Sequence, residues 1–388
     1  MFRVFLKLGL TSFGGPIAHL GYFRSELVLR RKWIDEAGYA DLVALCQFLP
    51  GPASSQLGFS LGLLRGGGLL GGLAAWLGFT APSAIVLVAF ALGTKDLGGP
   101  LAGGLLHGLK LVAVAVIAQA VWGMARVLAP DRPRAGLALA AVALVTFVGG
   151  SFGQVAAIAL GALAGLRLCR GGTAPAAGAL RFPIGRRMGA TLLIAFAVLL
   201  LIPPVAERVT GLQTIALFDA FYRAGALVFG GGHVVLPLLQ AETVAPGWVS
   251  NESFLAGYGV AQAVPGPLFT FAAYLGTVVG PAPHGLAGAA IALAGIFLPG
   301  LLLVGGMLPF WDSLRRQPAA QAAMRGANAA VVGILAAALY DPVWTGAVRD
   351  PRDFAAALAG FLLLTVWQAP PWLAVLCLAS TGVAFAVL

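Results

Sequence analysis

Twice in each half of this chain, an apolar run long enough to enter a membrane is cut by glycine and proline. The first cut is Phe13-Gly14-Gly15-Pro16, and the second is Pro50-Gly51-Pro52, three residues after Gln47. Proline removes a backbone donor and glycine weakens a helix interior. In hydrocarbon every freed backbone group must be satisfied by protein or by a wet cavity. A chain cut in this way folds as a helical membrane protein whose broken segments are surrounded by other helices.

Composition agrees. Of the 388 residues 60% are hydrophobic and only 10% charged, with a mean hydropathy of +0.93, whereas a soluble domain carries about a quarter charged residues. Apolar runs of about twenty residues recur along the chain, the length of a membrane-crossing helix. They are continuous rather than alternating, which argues against a β-barrel. The expected fold class is an all-α polytopic membrane protein. The net charge of +10 comes mostly from arginines in short loops, the distribution that the positive-inside rule produces. No nucleic-acid module is visible. Cys46, Cys169 and Cys377 are far apart and, with the four histidines, form no metal spacing, so no metal or other cofactor is expected. Lys7 interrupts the first apolar stretch and no small-residue cleavage site follows, so no cleavable leader is expected.

The cuts return as Phe229-Gly230-Gly231-Gly232 and, after Gln262, as Pro265-Gly266-Pro267. Phe13 and Phe229 lie 216 residues apart, and Pro50 and Pro265 lie 215 apart. Lys7 answers to Arg223, Gly9 to Gly225, Trp33 to Trp248, Pro82 to Pro299 and Gly108 to Gly326 at similar offsets. This is an internal repeat. The expected organisation is a first repeat of six apolar segments over 1–167, a basic linker over 168–188, a connecting transmembrane helix over 189–205 and a second repeat over 206–388. The stretch Arg24–Lys32 holds four basic residues, while its counterpart Pro237–Ser253 holds none and carries Glu242 and Glu252. Lys95 and Asp96 after Gly93 answer to Arg315 and Arg316. The basic bias thus changes sides between copies, which predicts inverted topology, with the broken segments as re-entrant hairpins. Ordinary kinked spanning helices are the plainer alternative.

Breaks in corresponding positions of two halves are the best sequence pointer to a transporter's binding site. The 14 acidic residues fall in loops or near segment edges. Lys7 and Arg223 lie inside the first broken segment of each copy, and His107 and Lys110 share one face of a spanning helix, with Arg325 and Asn328 at the equivalent positions. Charges at membrane depth are costly and so are functional candidates; a cationic core with few acids favours an anionic passenger. The plainer reading of Lys7 and Arg223 is snorkelling to the interface. A half-helix beginning at either break offers free N–H groups and a positive dipole end, which bind oxyanions. Ser54 and Ser55 after Pro52, Thr270 after Pro267, and the amides of Gln47 and Gln262 add donors, although back-bonding to helix carbonyls is the plainer role for the hydroxyls. His19 and His233 follow the glycine breaks and are candidates for carrying a proton.

Two enzyme-like patterns carry no weight. Gly66 to Gly71 fits G-x-G-x-x-G without a preceding strand or a following acid. Gly58 to Gly62 fits G-x-S-x-G without a nucleophile elbow's setting. Small residues packing helices closely explain both, and no catalytic residue is expected.

In their order, spacing and duplication, the FGGP and PGP motifs, with Trp33 and Trp248, resemble those of the chromate ion transporter family in its long two-domain form. The resemblance spans nearly the whole chain. It implies two homologous halves in opposite orientation and chromate export across the bacterial inner membrane, driven by membrane potential or proton gradient. Sulfate, a near-isostere, is the alternative cargo, by import or by exchange, and a passive anion channel is the alternative of another class. The implied binding residues are those of the four breaks, with Lys7, Gln47, Ser54, Ser55, Arg223 and Gln262. The implied partners are the oxyanion and the lipid bilayer, with a homodimer as a further expectation. Gly232 replaces the proline found at Pro16, so a looser second break is expected.

Overall fold

The computed structural model of the chain describes residues 1–93, 99–170, 182–229 and 231–387, apart from the side chains of Pro16, Ile17, Pro100 and Ser151. Gly230, Lys95, Asp96 and most of the expected linker lie outside the described residues. Among the described residues there is helix and no strand.

The first half opens with four short helices: α1 (Phe2–Thr11), α2 (Gly15–Phe23, continued by a π turn over Arg24–Arg30), α3 (Glu36–Phe48) and α4 (Ala53–Gly66). At 1.5 Å per residue the longest of these reaches about 21 Å, short of the ~30 Å hydrocarbon core. Long helices follow: α5 (Leu69–Gly93), α6 (Pro100–Leu128), α7 (Arg132–Val148) and α8 (Gly150–Leu168). Gly149 separates α7 from α8, as the Gly149-Gly150 pair predicts. α9 (Arg186–Thr210) is the expected connecting helix, longer at both ends.

The second half repeats this order. Short helices come first: α10 (Gln213–Ala226), α11 (Val235–Thr243), α12 (Asn251–Ala261) and α13 (Phe271–Val278). Then come α14 (Gly285–Met307), the single turn α15 (Trp311–Leu314), α16 (Pro318–Ala338), the single turn α17 (Thr345–Ala347), α18 (Pro351–Thr365) and α19 (Pro371–Val387). Both breaks of this half reopen in single 3₁₀ turns, Gly232–Val234 and Leu268–Thr270. In the first half α2 and α4 begin directly as α-helix. Among the described residues five stretches are long and apolar enough to cross a membrane: Leu69–Gly93, Leu101–Leu128, Arg186–Thr210, Gly285–Leu314 and Pro318–Ala347. The third of these is only 11% buried against 39–61% for the others, which puts α9 at the periphery.

The halves interlock. α19 packs on α6 and α8 packs on α16, so each half's last helix lies against a long helix of the other. Glycine makes these crossings: a Cβ on Gly108 would meet the Leu378 carbonyl oxygen at 2.3 Å, and one on Gly326 would meet that of Gly161 at 2.1 Å. Within each half the first short helix crosses a proline-containing helix in the same way. Gly9 lies on Gly78 and Phe79 of α5, and Gly225 lies on Ile296 of α14. The pattern at 66–71 is likewise packing, since Gly66 abuts Gly71. In G-x-S-x-G the Ser60 hydroxyl donates to the Gln56 carbonyl.

Candidate functional site

The four breaks meet in two crossings, each built from both halves. The Gly51 N–H donates to the Val228 carbonyl at 2.7 Å, and the Gly266 N–H donates to the Ser12 carbonyl at 2.9 Å. Each PGP glycine is therefore tied to the residue before the other half's glycine break. Gly51 and Gly266 have φ of +119° and +108°, a region closed to most side chains. A Cβ would also meet Gly300 Cα at 3.1 Å from Gly51, or Ser83 Oγ at 2.8 Å from Gly266. Pro82 and Pro299 lie inside α5 and α14 beside these contacts.

The two crossings differ in polarity. Around Gly266 and Ser12, the His19 ring stacks edge-on against Phe79 with centroids 5.3 Å apart, and its Nδ1 lies 3.3 Å from Ser54 Oγ. Ser83 donates to the Thr80 carbonyl. Ser12, His19, Ser54, Ser55, Thr80 and Ser83 are all buried. Ser12 Oγ, Ser55 Oγ, Thr80 Oγ1 and His19 Nε2 have no partner. Such groups cost about 1–3 kcal/mol each when left unpaired. The N-terminus of α4, with its free N–H groups, begins beside His19. Around Gly51 the equivalent place is filled. Gln56 Nε2 donates to the Pro50 and Gly300 carbonyls, and Pro52 presses on Gly300.

Several expected residues lie elsewhere. Thr270 donates back to the Pro267 carbonyl at 2.7 Å, the plainer role, whereas Ser54 and Ser55 make no such bond. Phe13 and Phe229 are half-buried, Gly14 caps α2 with φ of +96°, and Gly15 and Pro16 open its first turn. Gly231 has φ of +149° and faces Met124, and Gly232 starts a 3₁₀ turn. Pro265 and Pro267 flank Gly266 in the break before Leu268. His233 contacts the Tyr258 hydroxyl at 2.6 Å, and Gln262 Nε2 is buried without a partner. Gln47 is exposed and lines a separate cavity of about 270 Å³ with Arg315 and Arg325.

The cations are not the unpaired set that the sequence suggests. Lys7, 55% exposed, lies 3.6 Å from Glu26, which also binds Arg30 and Arg31. Arg223 lies 2.9 Å from both Asp219 and Glu242. His107 pairs with Asp353 and Lys110 with Glu252, while Arg325 donates to the Cys169 carbonyl. Asn328 Oδ1 is buried without a partner. The expectation that acids stay at the edges is corrected by Glu26, Asp41, Asp219 and Asp353, all buried. A charge sealed from water needs a partner: Glu26, Asp41 and Asp219 each have an arginine within reach, and Asp353 contacts His107 and accepts from the Arg349 N–H. Asp219 precedes Arg223 by four residues, a readable helical pair. Ser12 stands directly before the first break, so both were within reach of sequence reasoning.

A family profile described as chromate transporter matches residues 1–166 and 215–383. The chain is 30% identical to a chromate transport protein of Pseudomonas aeruginosa, over 95% of this chain and 87% of that one. It is 31% identical to a probable chromate transport protein of Synechococcus elongatus, over 87% and 82%. It is 27% identical to a chromate transport protein of Cupriavidus metallidurans, over 93% and 86%. No solved structure matches.

Proposed function

The chain belongs to the chromate transporter family, and from that premise we propose that it is a secondary transporter exporting chromate across the bacterial plasma membrane, with sulfate as competitor. The observation that carries this reading is the crossing of Ser12 and Gly266. Its unpaired Ser12, Ser55 and Thr80 hydroxyls and the start of α4 offer donors, and a tetrahedral oxyanion accepts from all its oxygens. The N-termini of α2 and α4 each contribute about half a positive charge. Binding therefore rests on neutral donors and dipoles rather than on Lys7 or Arg223.

Direction follows from charge. One elementary charge crossing 100 mV is worth about 2.3 kcal/mol. An inside-negative potential therefore favours outward movement of a dianion by about 4.6 kcal/mol per 100 mV. Import of the same dianion would have to overcome that sum.

Ser55→Ala and Ser12→Ala test the site. Each removes a hydroxyl with no partner in the empty protein, so the apparent unfolding temperature should hold or rise. Chromate affinity of the purified protein should fall about tenfold, the weight of one hydrogen bond to a charged group. Unchanged chromate binding in both variants would place the site elsewhere. Protein in liposomes that passes chromate with no saturation, and with no competition by sulfate, would be a channel.

A further inference from the structure

The most deeply buried acid among the described residues has no place in the reading above. Asp219 stands in the middle of α10 with a side chain 1% exposed. One of its oxygens lies 2.9 Å from Arg223 Nε, yet neither oxygen accepts a hydrogen bond and Arg223 Nε donates none. The guanidinium instead directs Nη2 to Glu242 of α11, itself 11% exposed, at 2.9 Å. Two carboxylates thus share one cation. Glu207 of α9 is the further acid acting on Asp219. α14, the other helix packed on α10, contains no titratable side chain. Asp219 is buried with neither oxygen hydrogen-bonded, beside a guanidinium turned to Glu242, and a buried carboxylate held in this way is relieved most cheaply by a proton.

The first half has no counterpart of Asp219. Lys7 and Glu26 occupy the places of Arg223 and Glu242, but Arg3 stands where Asp219 would be, and Arg30 and Arg31 add to Glu26. At equivalent places one acid meets three bases in the first half, and two acids meet one guanidinium in the second. Simple structural pairing would need neither.

We propose that Asp219, with Glu242 and Arg223, is the proton-binding site through which the protein uses the proton gradient. The claim rests on the transport reading above and adds the coupling ion to it. One proton adds to a carboxylate oxygen of Asp219 as an O–H bond, leaving Arg223 to pair with Glu242 alone. The proton leaves by the reverse step when the cluster opens to the other side. Proton entry and dianion exit both move positive charge inward, so one membrane potential drives both.

Two measurements on the full chain decide it. In the first, the purified protein is titrated by infrared difference spectroscopy. A protonated-carboxyl band should appear as pH falls and be lost in Asp219→Asn, while Glu207→Gln retains it. A wild-type titration with no band removed by Asp219→Asn overturns the proposal, whatever the protein transports. In the second, liposomes carry a potential alone or a potential with a pH gradient, and an internal dye reports protons. Wild-type chromate movement should respond to the pH gradient and drive protons in the opposite direction; Asp219→Asn and Glu242→Gln should lose that response, with Asp219→Glu restoring it. Chromate movement that ignores the pH gradient in the wild type leaves chromate transport standing and overturns the coupling site. A response that survives in Asp219→Asn also overturns it. No chromate movement at all in the wild type removes the transport reading and the coupling claim together.

Discussion

At the scale of single residues, the ion pairs beside the glycine breaks explain most about what sequence could and could not tell. Glu26 sits in the polar stretch after α2. Burial alone would push its carboxyl up, but hydrogen bonds from Arg31 and Arg30 and the charge of Lys7 hold it below the usual glutamate range. A carboxyl depressed in the folded state adds stability that is fully present above its unfolded value, about 4.3, and lost as pH falls through the lower folded value. Thermal unfolding in detergent should therefore show an acid limb below about pH 4 that Glu26→Gln flattens. Parallel curves for the two proteins would mean that the pair contributes nothing. Depth in apolar sequence was enough to single out Lys7 and Arg223. Their partners were legible too, because Lys7 to Glu26 and Arg223 to Glu242 are both separations of 19 residues, one spacing repeated in both halves. The hydroxyls around Ser12 were not legible. Ser83 meets Gly266 across a contact between the halves, which no local pattern reports.

At the scale of elements, the glycines that sequence marked as packing residues do pack, but against partners that spacing cannot name. Gly326 was paired with Gly108 as a repeat position, and both prove to lie at inter-half helix crossings. A methyl at Gly326 would sit 2.1 Å from the Gly161 carbonyl oxygen, and backbone cannot yield as a flexible side chain does. Gly326→Ala and Gly108→Ala should each cost about 1–3 kcal/mol or more, the range for overpacking. Gly123, also within α6, has nothing within 4 Å of its would-be Cβ, so Gly123→Ala should be neutral or stabilise by up to about 1 kcal/mol through helix propensity. Unfolding temperatures of the three variants in one detergent check the contrast. Equal shifts at Gly123 and Gly326 would mean that the crossings are looser than drawn. The breaks were the most legible elements of all: four sequence cuts became four interruptions of helix, each in its expected place.

At the scale of the whole molecule, the open question is how the halves lie in the bilayer. Arg126 near the end of α6, Arg132 and Arg134 at the start of α7, Arg167 near the end of α8 and Arg186 and Arg187 at the start of α9 fall on one side if α7 and α8 each cross. That is the side the positive-inside rule calls cytoplasmic. The exposed Arg24, Arg30 and Lys32 belong with them if the first short helices are re-entrant hairpins. α9 then crosses once, and α10 begins on the opposite side, inverting everything after it. Arg315 is only 3% exposed and is tied to Asp41 and Asp312, so it is a structural pair rather than a loop charge, although Arg316 remains exposed. The absence of basic residues over Pro237–Ser253 and the single crossing of α9 carry the prediction instead. Ser25 and Ala245 are both exposed. With the exposed Cys377 replaced, and Cys46 and Cys169 buried, Ser25→Cys should react with an impermeant maleimide only from the cytoplasmic face, and Ala245→Cys only from the outside. Reaction of both from the same face would make the halves parallel. The two Gly-to-carbonyl ties between the breaks would then relate the halves by an axis normal to the membrane, and alternating access by exchange of inverted halves would have to be abandoned.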